Sequence, residues 1–97
     1  MRFEIILAPE AVEDLRWLKA KVRSEVRDAL ETHLRNEPKK ISRSRVKRLR
    51  GLTKPQYRLR VDEWRIFYDV SESTVEILAI VPKSEAESWL AQFGNPE

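Results

Sequence analysis

The sequence predicts an α+β domain: a small, mainly antiparallel sheet with an N-terminal helical hairpin on one face and a short C-terminal helix. Two observations predict it. One short strand is followed by a long stretch with helical spacing of its apolar residues, and three later apolar stretches have the length of strands. Helices and strands are therefore segregated along the chain in the order β-α-α-β-β-β-α, which favours the α+β class. The 97 residues suit a single domain, residues 1–97.

The N-terminal part predicts one strand and then a helical region. Residues 3–7 form the strand, and Pro9 stands at a suitable first helical position. Apolar residues then recur at helical spacing over residues 11–34. No glycine or proline lies between Ala11 and Pro38, so local signals do not mark a break in this helix. We infer a turn near residues 19–21 from the fold, because a helical hairpin covers a small sheet better than one long helix does.

The hairpin predicted for residues 57–68 has an apolar face and a cationic face. Strand alternation places six apolar or aromatic residues on one side: Tyr57, Leu59, Val61, Trp64, Ile66 and Tyr68. The other side receives Arg58, Arg60 and Arg65. If Asp62-Glu63 is a two-residue loop, Arg60 lies directly opposite Arg65, which is destabilising unless an anion lies over the pair. A phosphate would supply that anion; the alternative is a solvated sheet edge whose arginines serve solubility.

The C-terminal part predicts a central strand and a last helix. Residues 74–81 are an almost unbroken apolar run, as in a buried strand. Ser84 with Glu87 three residues later has the spacing of a capping box, so a helix is expected to begin there. Its apolar residues for docking on the sheet are Trp89, Leu90 and Phe93, and residues 94–96 end it. We expect this helix to lie on the same face as the others.

Charge is distributed unevenly along the chain. Residues 39–65 hold eleven of the nineteen Lys and Arg but only two of the sixteen acids, so this window carries +9 and the remainder −6. Such segregation is typical of a phosphate-binding face. Besides the hairpin arginines, the candidate RNA- or phosphate-binding residues are Arg45, Lys47, Arg48, Arg50 and Lys54. A disordered basic loop is the alternative for residues 39–47.

Several kinds of site are not expected. The chain has no cysteine, and its acids are spread as i, i+3 and i, i+4 partners along helix faces, so neither a metal nor an organic cofactor is predicted. The only histidine, His33, lies on the apolar stripe, where a structural or partly buried role is favoured. No export signal or membrane-spanning segment is recognisable, so the expected location is the cytoplasm.

Three segments carry a family resemblance: residues 48–51 (RLRG), residues 57–60 (YRLR) and residues 64–68 (WRIFY). With the element order, they resemble the RelE/ParE superfamily of toxins from toxin–antitoxin modules, and RelE-like more than ParE-like members. The resemblance implies a ribosome-dependent mRNA endoribonuclease, an mRNA interferase that inhibits translation and leaves a 2′,3′-cyclic phosphate end. The ParE-like alternative is a DNA gyrase inhibitor. A non-catalytic RNA- or ribosome-binding module is the third possibility.

The resemblance also implies roles for individual residues. Arg58 and Arg60 match positions used in phosphate binding and 2′-hydroxyl activation, and Arg65 matches a phosphate-stabilising arginine. RelE-like members have a lysine-arginine pair after the last strand, whereas this chain has Lys83 followed by Ser84, so Lys83 would take over assistance to the leaving group. Trp89 lies near a tyrosine that stacks on a base; it would either stack similarly or pack the last helix on the sheet.

The implied partners are a cognate antitoxin, the ribosome and mRNA. An antitoxin segment rich in acidic and apolar residues would wrap the helices and cover the cationic face, folding as it binds. Contact with DNA is expected only through the antitoxin complex, and no membrane contact is expected.

Overall fold

A computed structural model describes residues 2–97 of the chain. The helices are α1 (Pro9–Trp17), α2 (Ala20–Ala29) and α3 (Ala86–Phe93). A π-helical turn, Leu30–Leu34, continues α2, and a 3₁₀ turn, Lys83–Glu85, precedes α3. The strands are β1 (Glu4–Leu7), β2 (Val46–Arg48), β3 (Leu52–Lys54), β4 (Tyr57–Val61), β5 (Trp64–Val70), β6 (Thr74–Pro82) and β7 (Asn95–Pro96). None of the helices in this part of the chain is long and apolar enough to cross a membrane.

Five strands form one mixed sheet in the order β1-β6-β5-β4-β2. β1 runs parallel to β6, and the other neighbours are antiparallel. The short strands β3 and β7 pair separately as a two-stranded sheet. The α+β class with a mainly antiparallel sheet is therefore confirmed, as is the helical hairpin, since α1 ends at Trp17 and α2 begins at Ala20.

The register of the β4–β5 hairpin is the one predicted. Val61 pairs with Trp64, and Arg60 pairs with Arg65 across the two-residue loop. Asp62 in that loop has φ of 51°, a left-handed conformation that aspartate tolerates better than most residues. The backbone pairing of β4 with β5 therefore places the two like charges, Arg60 and Arg65, opposite each other.

The main core lies between α1, α2 and one face of the sheet, where Leu59, Ile66 and Tyr68 are fully buried. Two polar contacts complete this side. The Tyr68 hydroxyl donates to the Pro38 carbonyl at 2.7 Å. The Asp14 carboxylate of α1 accepts the backbone N–H of Ile80 at 2.9 Å. Burial raises the pKa of the Asp14 carboxyl, while the Ile80 N–H opposes that change.

A smaller apolar cluster lies on the opposite face of the sheet. Phe67, Ala79 and Val81 are buried there against residues of α3 and the loop after β2. The expectation that α3 lies on the same face as the other helices is therefore wrong. Side chains alternate along β5, so Phe67 shares its face with Arg65 rather than with Ile66, and α3 packs on the cationic face.

Two further expectations need correction. β2, β3 and β7 do not occur in the predicted order of elements, because their strand conformation comes from pairing with other segments rather than from their own short sequences. The capping box is also wrong. Ser84 lies inside the 3₁₀ turn, and α3 begins at Ala86 after Glu85, without a side-chain cap.

Replacement of the buried Tyr68 tests its hydrogen bond to Pro38. Tyr68→Phe should lower the free energy of unfolding by about 1–3 kcal/mol, because the buried carbonyl loses its donor. Tyr57→Phe is the matched control, since the stacked Tyr57 ring has no hydroxyl hydrogen bond among the described residues. Urea unfolding of both variants measures the difference, and equal losses of stability would contradict this account.

Candidate functional site

An open groove of about 410 Å³ lies between the cationic face of the sheet and the start of α3. Four cationic residues line it: Lys47, Arg58, Arg65 and Lys83. We call it the cationic groove. Its apolar lining consists of Leu49, Phe67, Ala86 and Leu90, and Ser84 and Glu87 complete it. A mixed apolar and cationic concavity is suited to an anionic group that carries an apolar or aromatic portion.

The sheet brings three of the four cations together. Lys47 of β2 pairs with Arg58 of β4, and Arg58 pairs with Phe67 of β5. The third cation, Arg65, precedes Phe67 by two residues on β5 and therefore lies on the same face. Lys83 comes from the 3₁₀ turn after β6, where its backbone N–H donates to the Glu63 carbonyl at 2.7 Å. This bond ties the turn to the hairpin loop, so residues distant in sequence line one groove.

The cations of the groove are not neutralised by the protein. Among residues 2–97, none of the four forms a salt bridge with a carboxylate. The uncompensated charge is evident at Arg58. Burial lowers the pKa of its guanidinium, and the charges of Arg65 and Arg60 lower that pKa further. Its Nε is buried without a hydrogen-bond partner in the described part of the chain. An anion in the groove would offset the repulsion between Arg58 and the charges of Arg65 and Arg60.

Arg65 is also part of the hairpin itself. Its side chain is only 7% exposed. Nη1 donates to the carbonyl oxygens of Asp62 and Trp64, at 2.9 and 3.0 Å. Arg65 therefore stabilises the loop as well as charging the groove, and its removal would affect both.

The other predicted cations lie outside the groove. Arg48 lies over the Tyr57 ring, 5.1 Å from its centroid, and Lys54 is 3.8 Å from Glu76 and 3.9 Å from Asp69. Arg50 is exposed and does not line the groove. Phosphate binding by Arg48, Arg50 and Lys54 stays a prediction. Arg45 and Arg60 line a separate cavity.

Trp89 packs α3 on the sheet. Its ring stacks on Phe67 with centroids 5.0 Å apart and an interplanar angle of 10°. Its Nε1–H donates to the Glu10 carboxylate of α1 at 2.7 Å. These contacts favour the packing role; stacking on a base stays a prediction.

His33 lies in the π-helical turn and does not line the groove. Burial lowers the pKa of its imidazole, and the nearby charge of Arg45 lowers it further, so the neutral form is favoured. The geometry gives this residue no contact with the cationic groove, which agrees with the structural role expected from the sequence.

The sequence reasoning missed Glu87 as a groove residue. It was considered only as part of a helix cap, yet it is the one carboxylate that lines the cationic groove within residues 2–97. Its closeness in sequence to Lys83 was the available signal, because the 3₁₀ turn that carries Lys83 leads directly into the first turn of α3. Among the described residues, no cluster of three or more His, Asp or Glu could hold a metal ion.

Solved structures similar to this one include toxins of toxin–antitoxin modules, alone or in complex with their antitoxins. The RelBE2 toxin–antitoxin complex of Mycobacterium tuberculosis matches with a TM-score of 0.69 and 22% identity, covering 84% of this chain and 99% of that one. E. coli RelE in the free state matches with a TM-score of 0.69 and 21% identity, covering 92% of each chain. The RelE–RelB complex of Pyrococcus horikoshii matches with a TM-score of 0.64 and 26% identity, covering 86% and 97%.

The sequence comparisons give the family. No curated protein matches by sequence. The family model described as the ParE toxin of the type II toxin–antitoxin system parDE matches residues 5–87, which include β1, the helical hairpin, the cationic hairpin and the start of α3. The chain therefore belongs to the ParE toxin family and is a toxin of a type II toxin–antitoxin system.

Proposed function

We propose that this toxin is a RelE-like, ribosome-dependent endoribonuclease that cuts mRNA in the cytoplasm and so inhibits translation. The observation that carries the proposal is the cationic groove, whose four cations have no carboxylate partner among residues 2–97. Arg58 lines the groove, and its guanidinium adds donors for a phosphate oxygen. A ribosome that positions the mRNA would let a modestly equipped protein site suffice.

The reaction requires three contributions. A base takes the proton of the 2′-hydroxyl, the 2′-oxygen forms a bond to phosphorus, and the bond from phosphorus to the 5′-oxygen breaks as that oxygen gains a proton. The products are a 2′,3′-cyclic phosphate and a 5′-hydroxyl. In this proposal Arg58 and Arg65 stabilise the charge that develops on the phosphate, and the Lys83 ammonium protonates the leaving oxygen.

Glu87 is our candidate for the base. Arginine stays protonated in nearly all protein settings, and the only histidine lies outside the groove. A carboxylate is able to accept the 2′-hydroxyl proton, and Glu87 lines the same concavity as Arg58 and Lys83. In this proposal Glu87 therefore takes the role in 2′-hydroxyl activation that the family resemblance implied for Arg58 and Arg60.

The alternative is a ParE-like inhibitor of DNA gyrase that acts by binding and without catalysis. The description of the matching family model favours it. Under this alternative, the exposed cations bind an acidic protein surface or DNA, and growth stops with intact transcripts and damaged DNA.

The cognate antitoxin is expected to cover an apolar surface as well as the cations. Trp17 on α1 is 82% exposed and Val12 is 50% exposed. Val12 also lines a groove of about 370 Å³ between β1, α1 and α2, together with Leu7, Leu15 and three arginines, Arg16, Arg23 and Arg27. Apolar residues beside arginines suit an amphipathic acidic segment, which is the kind of antitoxin segment expected from the sequence.

Loss of the exposed cations tests the enzymatic proposal. Lys83→Ala and Arg60→Ala should each lower mRNA cleavage by about 10²- to 10³-fold, since Lys83→Ala removes the proton donor for the leaving oxygen and Arg60→Ala removes a positive charge beside the groove. The measurement is the mapping of new 5′ ends across the transcriptome after brief induction in bacteria, with cuts expected at a fixed position within translated codons.

Arg43→Ala is the control, because Arg43 is an exposed arginine of the same basic segment that lines neither cavity. Arg65 is better tested as Arg65→Lys, since alanine would also remove two hydrogen bonds of the hairpin loop. Unchanged cleavage by stably folded Lys83→Ala and Arg60→Ala variants would refute the proposal. Growth arrest with intact transcripts and DNA damage would favour the gyrase alternative.

Substitution of Glu87 tests the assignment of the base. Glu87→Gln should lower the single-turnover cleavage rate on programmed ribosomes by about 10²- to 10⁴-fold while ribosome binding is retained. A fully active Glu87→Gln variant would remove Glu87 from the mechanism.

Substitution of Trp17 tests the antitoxin surface. Trp17→Asp should weaken binding of the small protein encoded beside the toxin by about tenfold or more, because it places a charge on an apolar contact and repels an acidic segment. Trp17→Phe, which keeps the aromatic ring, should bind nearly as wild type. Isothermal titration measures both, and equal affinities for Trp17→Asp and wild type would exclude Trp17 from the interface.

A further inference from the structure

A second basic cavity, of about 230 Å³, is lined by Ser44, Arg45, Arg60 and Asp62. It adjoins the cationic groove through the hairpin, because Arg60 pairs with Arg65 across the β4–β5 ladder. Arg60 is also close enough to Arg58 for its charge to lower the pKa of that guanidinium. The cations therefore form a continuous track from the groove, across Arg60, to Arg45.

The segment that carries Arg45 is held in place by hydrogen bonds made by its backbone. The Ser42 hydroxyl oxygen accepts the backbone N–H groups of Arg45 and Val46, at 3.1 and 3.0 Å. The Arg45 carbonyl accepts the N–H of Arg60 at 2.8 Å. Arg45 is therefore fixed to the end of β4 rather than carried on a free loop, and the cavity is a built feature of the fold.

The charge of this cavity is not balanced. Neither Arg45 nor Arg60 forms a salt bridge with a carboxylate in residues 2–97, although Asp62 lines the same cavity. Two guanidinium groups and the Ser44 hydroxyl offer many hydrogen-bond donors against one carboxylate. Such a donor set matches the oxygens of a phosphodiester.

We propose that this cavity binds a second phosphodiester of single-stranded RNA, the one adjacent to the phosphodiester in the cationic groove, with Arg60 between the two. The inference rests on the proposed function in taking RNA as the ligand. Arg45 is then a substrate-positioning residue: it holds the strand in register and takes no part in proton transfer. The second site also explains why an arginine outside the groove remains unneutralised.

Two uncleavable 2′-deoxy oligonucleotides without terminal phosphates test the second subsite. A dinucleoside monophosphate has one phosphodiester and occupies the groove alone, whereas a trinucleoside diphosphate reaches both sites. Affinities are measured by NMR titration over a range of salt concentrations. Wild type should bind the trinucleotide more tightly, with a slope of log K against log salt steeper by about 0.7, the value for one more neutralised phosphate of a single strand.

Three variants separate this subsite from general charge effects. Arg45→Ala should bring the affinity and salt slope for the trinucleotide down to those for the dinucleotide, and leave the dinucleotide unchanged. Arg43→Ala should change neither. Asp62→Asn should strengthen trinucleotide binding alone, because asparagine removes the opposing charge and also tolerates the left-handed backbone at this position. Thermal unfolding confirms that each variant is folded.

Several outcomes would overturn the proposal. In the first, Arg45→Ala weakens the binding of both oligonucleotides equally. In the second, it weakens the binding of neither. In the third, the wild-type protein binds neither oligonucleotide. Inorganic phosphate is added at a concentration comparable to that of the trinucleotide. If it abolishes the additional affinity of the trinucleotide over the dinucleotide, the cavity is assigned to a free anion instead. Failure of the proposed function is distinguishable: the ribosome assay would then show no cleavage, while the two-phosphodiester binding pattern and its loss in Arg45→Ala would persist.

Discussion

The placement of like charges opposite one another on the β4–β5 hairpin is the constraint on which the rest of the site depends. Arg60 faces Arg65 across the ladder, and Arg58 is half-buried and close enough for both charges to lower its pKa. The hairpin keeps this unfavourable arrangement because the other side of the same strands carries Leu59, Ile66 and Tyr68 in the core. A slip by one residue would expose those side chains, so apolar burial holds the register that brings the cations together.

The last helix gives the charged face of the sheet the shape of a groove. Trp89 stacks on Phe67 and bonds to Glu10 of α1, so α3 is connected both to the sheet and to the N-terminal helix. The turn before α3 brings Lys83 beside the hairpin loop through its bond to the Glu63 carbonyl. An apolar contact on the cationic face therefore positions the charged residues around it.

Membership of the ParE toxin family and a RelE-like fold are compatible, because one backbone can serve different targets through different surface residues. We proposed RNA as the ligand because the groove combines unneutralised arginines and lysines with apolar groups and one carboxylate. The exposed Trp17 lies on the helical hairpin, which covers the other face of the sheet, so the expected antitoxin contacts include a surface separate from the cationic groove.

Local sequence patterns determined much of this protein. Alternation along residues 57–68 and the short Asp62-Glu63 loop were enough to predict the hairpin, its two faces and the Arg60–Arg65 pair, because strand geometry has a period of two. Only the tertiary structure decided the strand conformation of Val46–Arg48, the face on which α3 lies, and the meeting of Glu87 and Lys83 with Arg58. Those features depend on pairing and packing between segments far apart in the chain, and short polar segments carry no periodic signal of such contacts.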